Sequence, residues 1–173
     1  MRLVAAAVAV SLVAAAADRA ESCGDKFLRV GRGARYQRGY AAIRAACILI
    51  YADPRSPLAG ALRELEPALK RAGHSPRVVE SPGAVGPALV TGHYNVVIAP
   101  VEDVGLVQAQ AQGLAARFDV LPVLHRPSAS ARTAAEHDYH CVAEAPGRKG
   151  DVLASIDDVM ERLAKGGQNR KER

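Results

Sequence analysis

Three acidic residues lie where a metal-dependent enzyme would need them, directly after apolar runs of the chain. Asp53 follows the run that ends at Tyr51, and Glu102 and Asp103 follow the run that ends at Ala99. Carboxylate oxygens are the ligands that hard cations such as Mg²⁺ prefer. Carboxylates at loop ends are nevertheless common in proteins that catalyse nothing. We therefore rank a metal enzyme last among the functions considered, and we predict no catalytic residue, no metal and no cofactor.

The densest group of potential metal ligands is the segment 137–141 (His-Asp-Tyr-His-Cys). Neutral imidazole and thiolate suit zinc or copper. The segment is predicted to enter a strand, where neighbouring side chains point to opposite faces, so His140 and Cys141 would diverge. No second cluster with zinc-like spacing accompanies it. We interpret the segment as a solvated loop, with Cys141 in the core or in a disulfide.

Four arginines recur at every third position within a Gly- and Arg-rich segment near the N-terminus. In an extended backbone, or in one with three residues per turn, they would form one basic edge. Such an edge could contact phosphate head groups, an acidic glycan or an acidic partner. The alternative is an ordinary solvated segment. The residues of this basic edge are Arg29, Arg32, Arg35 and Arg38.

The cysteines suggest a structural role rather than redox catalysis. The chain has no Cys-x-x-Cys motif, which argues against a dithiol oxidoreductase, and no Gly-x-Ser-x-Gly elbow of the α/β-hydrolases. In an oxidising compartment, a disulfide from Cys23 to either Cys47 or Cys141 would staple the N-terminal segment to the domain. Such a bond stabilises by roughly 2–4 kcal/mol. We predict that one of these bonds forms and that the remaining thiol stays free and buried.

The first 17 residues have the order of a secretory signal peptide. Met1 and Arg2 give a positive start, residues 3–17 are almost uniformly apolar, and the last three of them are small enough for a signal peptidase. The apolar run is shorter than the roughly 20 residues that span a bilayer as a helix. We predict cleavage after Ala17, a periplasmic or secreted location, and no transmembrane helix after processing.

Charge and composition bound the remaining possibilities. The chain of 173 residues has a formal net charge of +5. Its composition is biased towards Ala, Gly and Arg, and a general excess of arginine makes the charge poor evidence for nucleic-acid binding. We predict no nucleic-acid partner. Aromatic residues make up only 4%, so the core must consist mainly of Val, Leu, Ile and Ala. Without its signal peptide, the chain has the usual size of one domain. We predict a basic lead-in at 18–45, one domain at 46–166 and a disordered basic tail at 167–173.

Apolar runs and helical spacings alternate along this domain. Ser56 and Pro57 have the residue types of an N-cap and a first helical position. The pattern predicts an α/β fold with a single doubly wound sheet of five parallel strands, in three αβα layers. Strands are predicted at 47–51, 77–80, 94–99, within 118–124 and at 139–143. Helices are predicted at 58–72, 82–91, 104–117 and 149–165, with a short polar helix or loop at 128–137.

Three short segments, taken in order, place the chain beside a known family. They are 94–98 (Tyr-Asn-Val-Val-Ile), 121–124 (Leu-Pro-Val-Leu) and Ala145-Pro146 ahead of the last helix. They resemble the lead-in to the third strand, the opening of the fourth strand and the lysine–proline pair in the receiver domain of bacterial response regulators. The resemblance covers about residues 46–165 and implies a receiver-like, flavodoxin-like strand order.

The receiver's chemistry does not carry over to this chain. A receiver takes a phosphoryl group on an aspartate that ends its third strand. A divalent ion and a lysine assist it, because the transferred group is highly anionic. The aspartate position falls here on Ala99 or Pro100, and the lysine position falls on Ala145. Of the acidic pair that holds the ion, only Asp53 is left. The resemblance therefore implies a degenerate receiver that cannot be phosphorylated by the usual route.

We predict a non-enzymatic exported interaction module that has a protein partner in the cell envelope. The alternative is a single-domain periplasmic solute-binding protein related to transport, which would need a partner or a second copy to close around its ligand. A solute site predicts a concave pocket with convergent polar groups, whereas a protein partner predicts an exposed apolar patch. In both cases the contact residues are expected in the loops after the strands. They are Asp53, Arg55, Pro100, Glu102, Asp103, Arg126 and Ser128.

Overall fold

The computed structural model describes residues 41–114 and 118–168. Five strands form one sheet in the order β2-β1-β3-β4-β5, and every neighbouring pair is parallel. This confirms the doubly wound α/β fold with flavodoxin-like strand order. The strands are β1 (Cys47–Tyr51), β2 (Ser75–Val79), β3 (Val96–Pro100), β4 (Asp119–His125) and β5 (Ala143–Ala145). The helices are α1 (Ala59–Arg63), α2 (Leu65–Arg71), α3 (Pro82–Thr91), α4 (Val104–Ala111), α5 (Ala129–Asp138) and α6 (Lys149–Gln168), with a 3-10 turn at Val101–Asp103.

The sheet separates two hydrophobic cores, because side chains of a strand alternate between its faces. On one face, Ile48 and Ile50 of β1 pack with leucines of α1 and α2 and with Ile156 of α6. On the other face, Leu49 and Tyr51 pack against α3 and α4. Both faces of the central strands are therefore covered by helices, as the continuous apolar runs predicted.

The helical segment after β1 follows the predicted leucine spacing but begins later. Its leucines are all buried, at positions 58, 62, 65 and 69. The first helix begins at Ala59 rather than at Pro57, because a turn precedes it in which the Ser56 hydroxyl accepts a hydrogen bond from the Leu58 N–H at 3.2 Å. The predicted single helix is also divided at Glu64, which separates α1 from α2.

The last strand is Ala143–Ala145, whereas the sequence predicted 139–143. The preceding helix runs further than predicted, and the Tyr139 N–H still donates to a carbonyl of α5 at 2.8 Å. Tyr139 therefore ends a helix instead of starting a strand. His140 and Cys141 lie in the connection before β5, and the strand alternation used to separate their side chains was wrong.

Other boundaries also differ from the prediction, among them both ends of β3, which was predicted at 94–99 and is Val96–Pro100. α4 ends at Ala111, short of the predicted residue 117, and Gly113 follows with a φ of 80°, the left-handed conformation that glycine often adopts at helix ends. α6 continues past Gly166 to Gln168, so residues 167 and 168, which the prediction placed in a disordered tail, are helical. β2 begins at Ser75, earlier than predicted.

The two outer strands of the sheet have unusual features. Within β2, the Ser75 N–H donates to the Ala46 carbonyl at 2.9 Å, and Pro76 follows. Because successive N–H groups of a strand point to opposite sides, Pro76 lies where the N–H would face away from β1, so its missing donor removes no bond from the sheet. β5, at the other edge, has only three residues. The helix between β4 and β5, α5, buries only Ala135.

Several predicted features lie outside the described residues. These are the signal peptide, the lead-in as far as residue 40, the tail from residue 169, and the side chains of Cys23, Arg29, Arg32, Arg35 and Arg38. They remain predictions. Among the residues that are described, no helix is both long enough and apolar enough to cross a membrane.

Candidate functional site

The predicted contact residues gather at one edge of the sheet. Strands β1, β3 and β4 are neighbours and run parallel, so their carboxyl ends meet at this edge. One acidic residue follows β1, two lie in the 3-10 turn after β3, and an arginine and a serine follow β4. We call this surface the carboxyl edge. It comprises Asp53, Arg55, Pro100, Glu102, Asp103, Arg126 and Ser128.

Asp53 is bonded by donors that come from its own stretch of chain. Arg55 Nη2 lies 2.7 Å from Oδ2 and Arg55 Nε lies 3.1 Å from Oδ1, so the guanidinium and the carboxylate form a fork. The Arg55 backbone N–H donates to Oδ1 at 2.9 Å, in the local turn that aspartate favours. From the core side, the Tyr51 hydroxyl donates to Oδ2 at 3.3 Å. The chain therefore neutralises the Asp53 carboxylate with its own arginine.

These contacts shift the ionisation of all three groups. Hydrogen bonds from Arg55 hold the pKa of Asp53 well below its usual range. Burial, together with the neighbouring charge of Asp53, raises the pKa of Tyr51 to about 12. The hydrogen bond to Asp53 in turn raises the pKa of Arg55. At neutral pH, Arg55 and Asp53 are therefore both charged, and the Tyr51 phenol that donates to Asp53 is neutral.

Asp103, in the turn after β3, comes close enough to Asp53 for their charges to interact. Burial raises the pKa of Asp103, and the negative charges of Glu102 and Asp53 raise it further. The positive charge of Arg55 acts in the opposite direction on the same group. Arg55 therefore pairs with Asp53 and acts on Asp103 only through its charge, while Glu102 is exposed.

Arg126 is the only non-glycine residue with a positive φ among residues 41–114 and 118–168, at 44°. This left-handed conformation costs an L-residue roughly 1–2 kcal/mol. The Arg126 N–H donates to the Ala145 carbonyl at 3.2 Å, which ties the end of β4 to the end of β5. Its side chain is exposed. Strained residues of this kind concentrate at functional sites.

The Ser128 hydroxyl is engaged locally. Ser128 is the N-cap of α5, and its Oγ accepts a hydrogen bond from the Ala131 N–H at 3.2 Å. The Ser130 hydroxyl lies 3.0 Å from the same oxygen. Ser128 thus begins a helix at the carboxyl edge, a role that its residue type suits.

The positions that would carry the receiver's chemistry are apolar and enclosed. Ala99 and Pro100 end β3, every residue of which is buried. Ala145 ends β5 and is partly buried. None of these side chains can accept a phosphoryl group or stabilise an anion.

The Asp53 carboxylate does not suit a divalent cation. Such a cation takes free carboxylate oxygens, and both oxygens of Asp53 are already bonded by Arg55. Within the described part of the chain, no group of three or more His, Cys, Asp and Glu residues is placed to hold a metal ion.

Sequence reasoning missed a groove of about 300 Å³ between α6 and the connection before β5. We call it the α6 groove; it is lined by His140, Cys141, Asp158, Glu161, Arg162 and Lys165. Arg162 Nη2 lies 3.7 Å from Cys141 Sγ and 2.9 Å from Asp119 Oδ2. Burial raises the pKa of the Cys141 thiol. Only the helical spacing of the α6 residues gave a signal in the sequence, because the groove depends on where the connection passes the helix.

His74 is a buried polar residue that the sequence did not reveal. It lies between α2 and β2 with 5% of its surface exposed, and its Nδ1 accepts a hydrogen bond from the Ala46 N–H at 3.2 Å. Its Nε2 is buried without a partner among the described residues. Burial lowers the pKa of His74, so the imidazole is held in its neutral form.

Two of the three predicted disulfide candidates are described. Cys47 is exposed, Cys141 is half-buried, and both carry free thiols. Cys23 lies outside the described residues. The bond from Cys23 to one of the other two stays a prediction. The expectation that the remaining thiol is buried was wrong, because neither Cys47 nor Cys141 is buried.

Comparison of the chain with protein-family models, with curated proteins and with solved structures gives no match.

Proposed function

We propose that this protein is a non-enzymatic exported interaction module with a receiver-like fold, and that it binds a protein partner of the cell envelope through the carboxyl edge. The observation that carries the proposal is the fork between Arg55 and Asp53. The Arg55 side chain is 80% exposed, yet it is anchored at 2.7 Å by a carboxylate that is 11% exposed. An arginine that is fixed before binding presents its remaining donors with less loss of side-chain entropy. Anchored arginines are frequent among the residues that dominate protein interfaces.

Arg126 adds a second exposed cation to this surface. Its backbone is held in a conformation that glycine or asparagine would adopt at lower cost. An arginine at such a position supports a role for the side chain in contact with a partner. Glu102, exposed on the intervening loop, gives the surface mixed charge, which suits a protein partner because complementary charges set orientation and specificity.

The residues at the positions of the receiver's acceptor and lysine cannot perform the receiver's chemistry. The acceptor position is Ala99 or Pro100 and the lysine position is Ala145. The one remaining carboxylate, Asp53, is bonded to Arg55. We infer that the fold presents a surface in place of a phosphorylation site.

The solute-binding alternative has weaker support. A cavity at the carboxyl end of β5 has a volume of about 90 Å³. Apolar residues such as Leu62 and Val152 line it together with the charged residues Glu64, Glu144 and Lys149. Ligand pockets are usually about 300–1,000 Å³. A ligand in this cavity would therefore need a second protein surface to enclose it.

The test is native mass spectrometry of the protein purified from the cell envelope of its own host. We expect a complex of the chain with a second protein. The variant Arg126→Gln should lose that protein, and Arg71→Gln should retain it. Arg71 is an exposed arginine at the end of α2, away from the carboxyl edge, and its replacement changes the charge equally.

Two results would overturn the proposal. A stoichiometric metal or small molecule in place of a protein partner would favour a binding protein or an enzyme. Equal retention of the partner by the two variants would show that the carboxyl edge is not the contact surface.

A further inference from the structure

The chain reaches the domain along the layer of helices that contains α2 and α6. The Ala42 N–H donates to the carbonyl of Ala72, after α2, at 2.8 Å. The backbone of Ile43 forms a hydrogen bond with Asp157 of α6. Burial raises the pKa of this carboxyl, and the hydrogen bond from Ile43 only partly opposes that rise. The charge of Arg44 acts on Glu161, one turn further along the same helix. The segment before β1 therefore approaches the domain beside the α6 groove, since Glu161 also lines it.

The position of each thiol relative to the sheet distinguishes the two cysteines that could bond Cys23. Cys141 packs against the core formed with α1, α2 and α6. Cys47 occupies an odd position of β1, as do Leu49 and Tyr51, which face α3 and α4. Because side chains alternate along a strand, Cys47 projects to that opposite face. Cys141 is thus the thiol in the layer along which the N-terminal segment arrives.

The α6 groove has a local charge that complements the lead-in. Within it, Arg162 is paired with Asp119, and Lys165 is paired with Glu161 at 2.6 Å. The exposed carboxylate of Asp158 has no ion pair among the described residues. Asp158 therefore remains available for a cation. The lead-in supplies four such cations, at Arg29, Arg32, Arg35 and Arg38.

The length of the lead-in permits it to reach the groove. Cys23 and Ala41 are separated by 18 residue steps in the sequence, and an extended chain spans at most about 3.3–3.6 Å per residue. Fully extended, these steps span about 60 Å, which exceeds the roughly 30 Å diameter of a small domain. The layer and the charge, rather than the length of the chain, therefore distinguish the two thiols.

We propose that residues 18–40 dock on the α6 groove and are fixed there by a disulfide between Cys23 and Cys141, with Cys47 left as a free thiol. The two thiols lose two protons and two electrons to a disulfide-bearing oxidant of an oxidising compartment, which is reduced to its dithiol. The S–S bond forms beside Arg162, and an arginine of the lead-in pairs with Asp158. The inference concerns the groove and does not depend on the carboxyl edge.

Non-reducing peptide mapping tests the bond directly. The protein is isolated from the host's cell envelope, its free thiols are alkylated at once, and it is digested without reductant. We expect a cross-linked peptide that contains Cys23 and Cys141, with Cys47 alkylated. A Cys23–Cys47 bond, a Cys23–Cys23 bond between two chains, three alkylated thiols, or a mature chain that lacks Cys23 would each overturn the proposal.

Matched serine variants connect the bond with docking. Cys47→Ser should keep the cross-link, and Cys141→Ser should lose it. Trypsin should then cleave after the lead-in arginines at least about tenfold faster in Cys141→Ser than in Cys47→Ser, because a docked segment is cleaved only when it opens. Equal cleavage rates in the two variants would show that the lead-in does not dock.

The charge is tested separately in reduced protein. Asp158→Asn should raise the rate of cleavage in the lead-in about two- to fivefold, the effect expected for one exposed ion pair. Glu136→Gln removes the same charge from an exposed position on α5 and should leave the rate unchanged. If the two variants behave alike, Asp158 has no part in docking, and the groove is the wrong place for the segment.

Discussion

Arg55 Nη2 lies 2.7 Å from Asp53 Oδ2, only two residues away along the chain, and its Nε bonds the same carboxylate. The aspartate that follows the first strand of this sheet is therefore engaged before any ligand or partner arrives. Neither oxygen of the Asp53 carboxylate is left without a hydrogen bond.

Loss of the fork should change the response of the protein to acid. The pKa of Asp53 is depressed, so its carboxylate stabilises the fold above the unfolded pKa of about 3.9, and this contribution is lost as the pH falls below that value. We expect Arg55→Gln to lower the free energy of unfolding at pH 7 and to flatten its decline between pH 5 and pH 3. Urea unfolding at each pH measures this.

Lys70→Gln is the control for that experiment, because it also removes a cation from an ion pair with a carboxylate. Its pair with Glu66 is an exposed i,i+4 contact, which is worth roughly 0.3–0.5 kcal/mol. In Lys70→Gln, the free energy of unfolding should decline with falling pH as steeply as in the wild type. Parallel curves for wild type and Arg55→Gln would contradict the role given to the fork.

The buried hydroxyl of Tyr51 should contribute to stability through Asp53. Tyr51→Phe keeps the ring in the core and removes the donor to Oδ2, so we expect a loss of about 1 kcal/mol in the free energy of unfolding. Tyr139→Phe, at a half-buried position, should change it by less than about 0.5 kcal/mol. An equal effect of the two substitutions, measured by urea unfolding, would indicate that the Tyr51 hydroxyl does not support the carboxylate.

Relief of the strain at Arg126 should stabilise the protein. Glycine adopts a φ of 44° without the clash that an L-side chain meets, although it loses more entropy on folding. We expect Arg126→Gly to raise the free energy of unfolding by roughly 0.5–1 kcal/mol, the difference between those two effects. Arg126→Ala removes the same charge but keeps Cβ, and it should give no gain. Thermal unfolding measures both variants. A gain in stability in Arg126→Gly alone would assign it to relief of backbone strain, whereas an equal gain in both would assign it to loss of the charge.

His74 should make the fold sensitive to mild acid. Burial lowers its pKa in the folded state, so the neutral imidazole stabilises above the unfolded pKa of about 6.5. Stability is lost as the pH falls below that value, because the unfolded chain binds the proton more readily. We expect the free energy of unfolding to decline between pH 7 and pH 5 and to decline less in His74→Asn.

His93→Asn provides the comparison for His74, since His93 is exposed. Its profile between pH 7 and pH 5 should follow that of the wild type. If His74→Asn follows it too, the proton that destabilises the protein binds elsewhere.

The sequence predicted the sheet well because its central strands are buried on both faces. Continuous apolar runs located β1 and β3, and leucine spacing located the buried side of α1 and α2. The prediction was poorest at β5, where only three residues pair with β4 and the polar segment before them gives no apolar pattern. Local sequence cannot distinguish a late helix end from an early strand start there.

The sequence predicted which loops share one edge of the sheet, but it did not predict the side-chain contacts among them. Parallel strands bring their carboxyl ends together, so the set from Asp53 to Ser128 could be expected at one edge. That Arg55 bonds Asp53, and that Tyr51 supports it from below, depends on side-chain positions that the order of residues does not specify. The α6 groove and the burial of His74 were missed for the same reason, because both depend on packing between distant segments.

The outer strands have a consequence for the behaviour of the protein at high concentration. An open sheet edge is a template on which another chain can add a strand, and repeated addition leads to fibrils. Pro76 removes an outward-facing donor from the edge at β2, and the three residues of β5 leave little backbone to pair at the opposite edge. Neither side of the sheet can easily be extended, so the native state resists polymerisation even though its core strands are almost entirely aliphatic.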